Sequence, residues 1–115
     1  MNIGVPKEIK KHEYRVGLTP DAVSKYIAEG HTVVVETSAG LGTGFTDNDY
    51  IASGAKILSR DDVFAESKMI VKVKEPQSSE LKYFNKDHIL FTYLHLAADA
   101  KLTDKLMSIG LTAIA

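Results

Sequence analysis

Short apolar runs alternate with helix signals along the chain. Ile3-Gly4-Val5 is the first run, closed by Pro6, and predicts a short strand. Residues 7–18 are a polar loop. Thr19-Pro20-Asp21 then marks a helix start: Thr caps free amides, Pro suits the first helical position, and Asp favours the positive helix end. Ala22, Val23, Tyr26 and Ile27 form one apolar stripe, and Gly30 ends the helix. Residues 31–36 are β-branched and predict a second strand. Thr46, with Asp49 three residues on, starts a short helix that Gly54 stops. Residues 55–58 read as a third strand, and Ser59 caps a helix containing Val63, Phe64 and Ala65. Residues 69–74 form a fourth strand, ended by Glu75-Pro76. A helical turn over 79–83 precedes a fifth strand at 89–93. Residues 99–109 form an amphipathic helix carrying Leu102, Leu106 and Ile109, stopped by Gly110, and 111–115 begin a sixth strand. Regular alternation of strand and helix predicts a parallel sheet flanked by helices on both faces, a Rossmann-like or flavodoxin-like three-layer α/β fold.

Composition narrows the classes without changing that fold. The 115 residues suit one domain, and a net charge of −1 argues against a general nucleic-acid binder. With no Cys there is no disulfide scaffold, no thiolate chemistry and no Cys-ligated zinc site. Apolar stretches of five residues or fewer are far short of a membrane span. The start lacks the basic segment and long apolar run of a signal peptide, so a cytoplasmic globular protein is expected.

In open α/β sheets, ligands bind beyond the carboxyl ends of the strands. The loop after strand one carries Arg15. Lys74 stands at the end of strand four, and Tyr93 and His95 at the end of strand five. Element order alone therefore aims Arg15, Lys74 and His95 at one edge of the sheet. Each has an ordinary alternative. Lys72 and Lys74 share a strand face by period-two alternation and could simply snorkel into water. The functional reading of Lys74 is a cation that holds a carboxylate or polarises a carbonyl. His95, in an otherwise apolar segment, is either a satisfied structural residue or a proton-transfer group. Arg15 is one of only two Arg beside twelve Lys. Its planar fork fits a carboxylate with two hydrogen bonds, but a solvated loop residue would look the same. Arg60 reads as exposed in a first helical turn, and His12, His31 and His88 as solvated surface residues.

The stretch Gly40-Leu41-Gly42-Thr43-Gly44 fails the G-x-G-x-x-G pattern, because Phe45 and Asp47 stand where small residues are needed. It follows the second strand and reads as a turn that needs positive φ. No two His are spaced i, i+4, and no metal site is expected.

Several segments together resemble the N-terminus of the alanine dehydrogenase and pyridine nucleotide transhydrogenase family. They are Ile3-Gly4-Val5-Pro6-Lys7-Glu8, Glu13-Tyr14-Arg15-Val16 and Leu18-Thr19-Pro20, with Gly30-His31, Ala39-Gly40 and Gly54-Ala55. Lys72-Val73-Lys74-Glu75-Pro76 and the segment from Leu90 to Ala97 are most similar to the alanine dehydrogenase branch. The resemblance implies a reversible reaction in which L-alanine, NAD and water give pyruvate, ammonium and NADH. It implies that Arg15 and Lys74 bind the carboxylate and the carbonyl or amine end of the substrate. It makes His95 the acid/base group beside substrate C2 and places Tyr93 in the same pocket with a dispensable hydroxyl. Family members run to roughly three times this length. Residues 1–115 are thus expected to be the N-terminal part of a catalytic, substrate-binding domain, incomplete and inactive alone. The NAD site is expected downstream, in a nucleotide-binding domain absent here, with no cofactor-binding residue in these 115. Some apolar surface should then be exposed. Full-length members imply a homo-oligomer, a hexamer in many cases, with no nucleic-acid or membrane partner.

Two other readings compete. A transhydrogenase α subunit shares the opening segments but usually departs at those of Lys74 and His95. A stand-alone receiver-like binding domain suits the alternation. It needs paired acids after strand one, where this chain has Pro6-Lys7-Glu8.

Overall fold

A computed structural model describes residues 1–93 and 100–114, without the side chains of 100–103. Strands β1 (Asn2–Val5), β2 (Thr32–Glu36), β3 (Lys56–Leu58), β4 (Met69–Lys72), β5 (Ile89–Thr92) and β6 (Thr112–Ile114) alternate with helices α1 (Pro20–Ala28), α2 (Asp47–Ala52), α3 (Arg60–Glu66) and α4 (Ala100–Ile109). Short 3₁₀ segments occupy Leu41–Thr43 and Ser78–Tyr83.

The predicted caps form. Thr19 Oγ1 accepts from the Ala22 amide at 3.2 Å and Ser59 Oγ from Asp62 at 3.3 Å. Thr46 and Asp49 close a reciprocal capping box at 2.8 and 3.2 Å. Thr46 and Asp49 thus satisfy two amides that a six-residue helix would otherwise leave open.

All strand pairs are parallel, in the order β3-β2-β1-β4-β5-β6. That is the Rossmann order. A flavodoxin-like or receiver-like sheet would run 2-1-3-4-5, so those alternatives do not describe this chain. The chain reverses direction of growth between β1 and β4, which opens a crevice at their carboxyl ends.

Period-two alternation divides the core. Ile3, Val5, Val33, Val35 and Val71 face Val23 of α1 and Tyr50 of α2. Ile70 and Leu90 pack with Phe64 of α3, Phe84 and Leu106 of α4. Tyr50 is wholly buried, and its hydroxyl donates to the Leu18 carbonyl at 2.8 Å. Burial pushes its pKa up to about 12, so it remains a neutral donor tying the loop before α1 to α2.

Two expectations shift at the sheet's working end. The fourth strand stops at Lys72, and the backbone bends at Val73 and Lys74. Lys72 and Lys74 therefore do not share one strand face. The fifth strand ends at Thr92, so Tyr93 begins the following loop. Toward α4 and β6, Met107 is 72% and Ile114 45% exposed.

Candidate active site

The segment from Pro6 to Leu18 leaves β1 at the crevice and is laced onto the end of β4. Glu8 is buried and accepts from the Val73 amide at 3.0 Å and the Lys74 amide at 3.2 Å. Lys10 pairs with Glu75 at 2.5 Å. A Cβ added at Gly17 would stand 2.5 Å from the Val71 carbonyl, so the segment rests directly on the strand backbone. The Tyr93 hydroxyl donates to the Gly17 carbonyl at 3.1 Å. The tyrosine hydroxyl thus joins the end of β5 to the same loop.

Within this segment His12 adopts φ 64°, a left-handed conformation that non-glycine residues seldom take. The turn it makes is closed by the Glu13 amide donating to the Lys10 carbonyl at 3.0 Å. It brings Glu13 back beneath Arg15. Arg15 Nη2 donates to Glu13 Oε1 at 2.8 Å and Nε to Oε2 at 3.1 Å, and the Arg15 amide donates to Oε2 at 3.0 Å. Lys74 Nζ stands 3.9 Å from the same Oε1. Two of the predicted site residues thus meet at a carboxylate that sequence reasoning passed over. Glu13 is only 5% exposed through its side chain, whereas Arg15 is 63% exposed. Arg15 spends one edge of its fork on Glu13. Its Nη1 has no partner among the described residues.

The hydrogen bonds from Arg15 hold the Glu13 carboxyl down to about 2, against a usual 4.5, with partial burial opposing and the charge on Lys74 assisting. The sign follows directly. A depressed carboxyl stabilises the fold fully above its ordinary value and loses that contribution as pH falls through its folded value. The pair should therefore persist through mild acid and fail only between pH 4.5 and about 2. A carboxyl-carbon NMR titration of Glu13 should show a midpoint near the lower end. A midpoint near 4.5 would mean that the pair does not form.

Beside Arg15 lies an open cleft of about 490 Å³. Val16, Leu18, Ala22, Phe45, Val73 and Tyr93 give it a largely apolar wall, with Arg15 at its edge. Tyr93 lines this cleft from the loop after β5. Its hydroxyl, expected to be dispensable, has a definite partner. His95 lies outside the described residues, as does the side chain of Leu102.

Lys72 does not snorkel. It is 1% exposed, 3.0 Å from Glu8 Oε1 and 3.1 Å from Glu80 Oε2. The contact with Glu80 is an ion pair without a well-aligned hydrogen bond, since Oε2 lacks one by geometry. The other Glu80 oxygen accepts from the Gln77 amide at 2.9 Å. Two carboxylates make burial of the ammonium tolerable where an unpaired charge would not be. Arg60 is also not simply exposed. It grips Glu36 through Nε at 3.0 Å and Nη2 at 3.2 Å. His88 is buried, accepting at Nδ1 from the Asn85 amide at 3.0 Å, which leaves Nε2 to donate to the Phe64 carbonyl at 3.0 Å. Its packing against Phe64 and Phe84 explains why an apparent surface His is a core residue. Of the glycine-rich stretch, only Gly44 has positive φ, at 87°. Gly42 is small for a different reason: a Cβ there would meet the Tyr14 carbonyl at 2.6 Å.

A dinucleotide needs a glycine turn after β1 and free amides for its pyrophosphate. Here Glu8, itself an anion, occupies the Val73 and Lys74 amides at the crevice. The described residues do not fit NAD.

The fold and site define a Rossmann-order α/β unit whose switch-point crevice presents two cations around one carboxylate beside a small apolar cleft. Residues 4–115 match the family described as alanine dehydrogenase/PNT, N-terminal domain, and the chain belongs to that family. It is 52% identical over 115 residues to the alanine dehydrogenase of Bacillus subtilis (strain 168), covering all of this chain and 30% of that protein. It is 50% identical over 116 residues to the alanine dehydrogenase of Methanococcus maripaludis, covering all of this chain and 31% of that protein. A solved L-alanine dehydrogenase superposes over the whole chain and 32% of its own length, with TM-score 0.95 and 54% identity. A transhydrogenase from Sinorhizobium meliloti superposes over the whole chain and 33% of its own length, with TM-score 0.94 and 26% identity. The chain thus spans about 30% of the length of the curated relatives it matches.

Proposed function

We propose that this chain forms the substrate side of an NAD-dependent L-alanine dehydrogenase. The reaction is L-alanine, NAD⁺ and water giving pyruvate, ammonium, NADH and a proton. One observation carries the reading: Arg15 and Lys74 converge on Glu13 Oε1, at 2.8 and 3.9 Å, beyond the carboxyl ends of β1 and β4 and beside an apolar cleft. The higher identity to alanine dehydrogenases, 54% against 26% for the transhydrogenase, favours this branch.

In this reading residues 1–115 are the N-terminal part of the catalytic domain, and NAD is held by protein outside them. The Nη1 side of Arg15 takes the substrate carboxylate, and the apolar wall takes the methyl group. Lys74 faces the carbonyl or amine end, where its charge favours developing negative charge on oxygen. Two fixed cations restrict how a three-carbon acid can lie, which is worth more than affinity alone. His95 moves the proton at the C2 substituent. The assembled protein is a cytoplasmic homo-oligomer, a hexamer by family resemblance, with no nucleic-acid or membrane partner.

The test is steady-state turnover by the full-length protein. It should reduce NAD in the presence of L-alanine, while residues 1–115 alone should not. Arg15→Lys should raise the pyruvate KM roughly tenfold and change kcat less, because a lysine cannot serve Glu13 and a substrate carboxylate together. An unchanged KM would remove Arg15 as the carboxylate clamp.

A further inference from the structure

The carboxylate between the two cations has a role of its own in the site. We propose that Glu13 is the positioning residue of the substrate site: by gripping one edge of the Arg15 fork within reach of Lys74, it sets where both cations meet the substrate. This inference rests on the functional reading above.

Three features support it. First, the contacts are multiple and specific. Glu13 Oε2 accepts from both Nε and the backbone amide of Arg15, at 3.1 and 3.0 Å, and Oε1 accepts from Nη2 at 2.8 Å. These bonds fix the guanidinium plane relative to its own backbone. A 63% exposed arginine side chain in a loop would otherwise sample many rotamers. Second, the carboxylate is built in rather than incidental. Its side chain is 5% exposed, and the turn that delivers it uses the unfavoured φ of 64° at His12. Backbone strain of this kind persists only where the surroundings hold it. Third, the loop is anchored on the segment just beyond β4 that carries Lys74. Lys10 pairs with Glu75, and Glu8 accepts from the Lys74 amide at 3.2 Å. Glu13 therefore sees Lys74 at a distance set by several independent contacts, 3.9 Å in this structure.

The arrangement has a chemical consequence. Nε and one Nη2 hydrogen are committed to Glu13, so the substrate carboxylate is left with the Nη1 side of the fork. A substrate bound there lies in one orientation relative to Lys74. Without Glu13 the fork could offer any edge, and the carboxylate could bind with C2 misplaced.

The experiment compares Glu13→Gln, Arg15→Ala and the double variant in the full-length protein, with pyruvate, ammonium and NADH as substrates. Glu13→Gln is near-isosteric, but its amide cannot accept at both positions. It should raise the pyruvate KM about tenfold, leave the NADH KM unchanged, and add little to the effect of Arg15→Ala, because coupled residues act through one another. Glu13→Asp retains the charge and should recover part of the loss. Thermal melting of each variant separates folding from binding. A Glu13→Gln protein with wild-type pyruvate KM, or one whose effect adds fully to that of Arg15→Ala, would overturn the role of Glu13. An Arg15→Ala protein with wild-type pyruvate KM would instead overturn the substrate site on which it rests.

Discussion

Lys72→Met should destabilise the protein by about 3–5 kcal/mol, the usual cost of removing one partner from a buried ion pair. The methionine nearly matches the lysine stem in volume, so packing loss is small. What changes is charge. Lys72 is 1% exposed and its two partners, Glu8 and Glu80, are 2% and 0% exposed through their side chains. The variant leaves both carboxylates in the interior without a cation. A second change identifies the mechanism. Adding Glu80→Gln to Lys72→Met should cost less than the sum of the single changes, since it removes one of the stranded charges. Equilibrium unfolding in denaturant measures both. A loss below about 1 kcal/mol for Lys72→Met would show that the triad is solvated in solution.

The triad also explains how the site is framed. Glu8 is shared between the buried Lys72 and the Val73 and Lys74 amides. Its loss would thus loosen the backbone from which Lys74 projects. Stability and the placement of Lys74 are joined at one side chain.

The second large effect is on turnover. His95→Ala in the full-length protein should lower kcat by about 10²-fold or more, the usual contribution of a positioned acid/base group. β5 ends at Thr92, paired with Lys72 of β4, so the chain beyond it starts beside the segment carrying Lys74. A neutral imidazole can take a proton during alanine oxidation and return it during pyruvate amination. A variant with near-wild-type kcat would remove His95 from the chemistry.

Much of this organisation was legible in the residues. Thr19-Pro20, Thr46 with Asp49, and Ser59 marked helix starts because caps are local chemistry, and the β-branched runs marked strands for the same reason. Strand order was not legible, because parallel pairing depends on crossovers that local patterns do not encode. The sequence could thus leave Rossmann and flavodoxin orders open. At the site, Arg15, Lys74 and Tyr93 stood out through scarcity or position at strand ends. Glu8, Glu13 and Glu80 did not, since acids among fifteen Asp and Glu look solvated until a partner is known. Glu13 lies two residues before Arg15, and Glu8 lies three residues beyond the end of β1. Those were the available signals. His88 and Lys72 misled for a related reason: polar residues at strand margins read as surface, and only tertiary partners bury them. Lys72 needed Glu8, 64 residues away.

The central claim is that Arg15, fixed beside Lys74 beyond the ends of β1 and β4, holds the substrate carboxylate. Calorimetric titration of pyruvate into the full-length protein saturated with NADH tests it most directly, comparing wild type with Arg15→Ala. Loss of charge-assisted hydrogen bonds worth about 1.5–3 kcal/mol predicts affinity weaker by roughly 10- to 150-fold. Equal affinity in the two proteins would contradict the account.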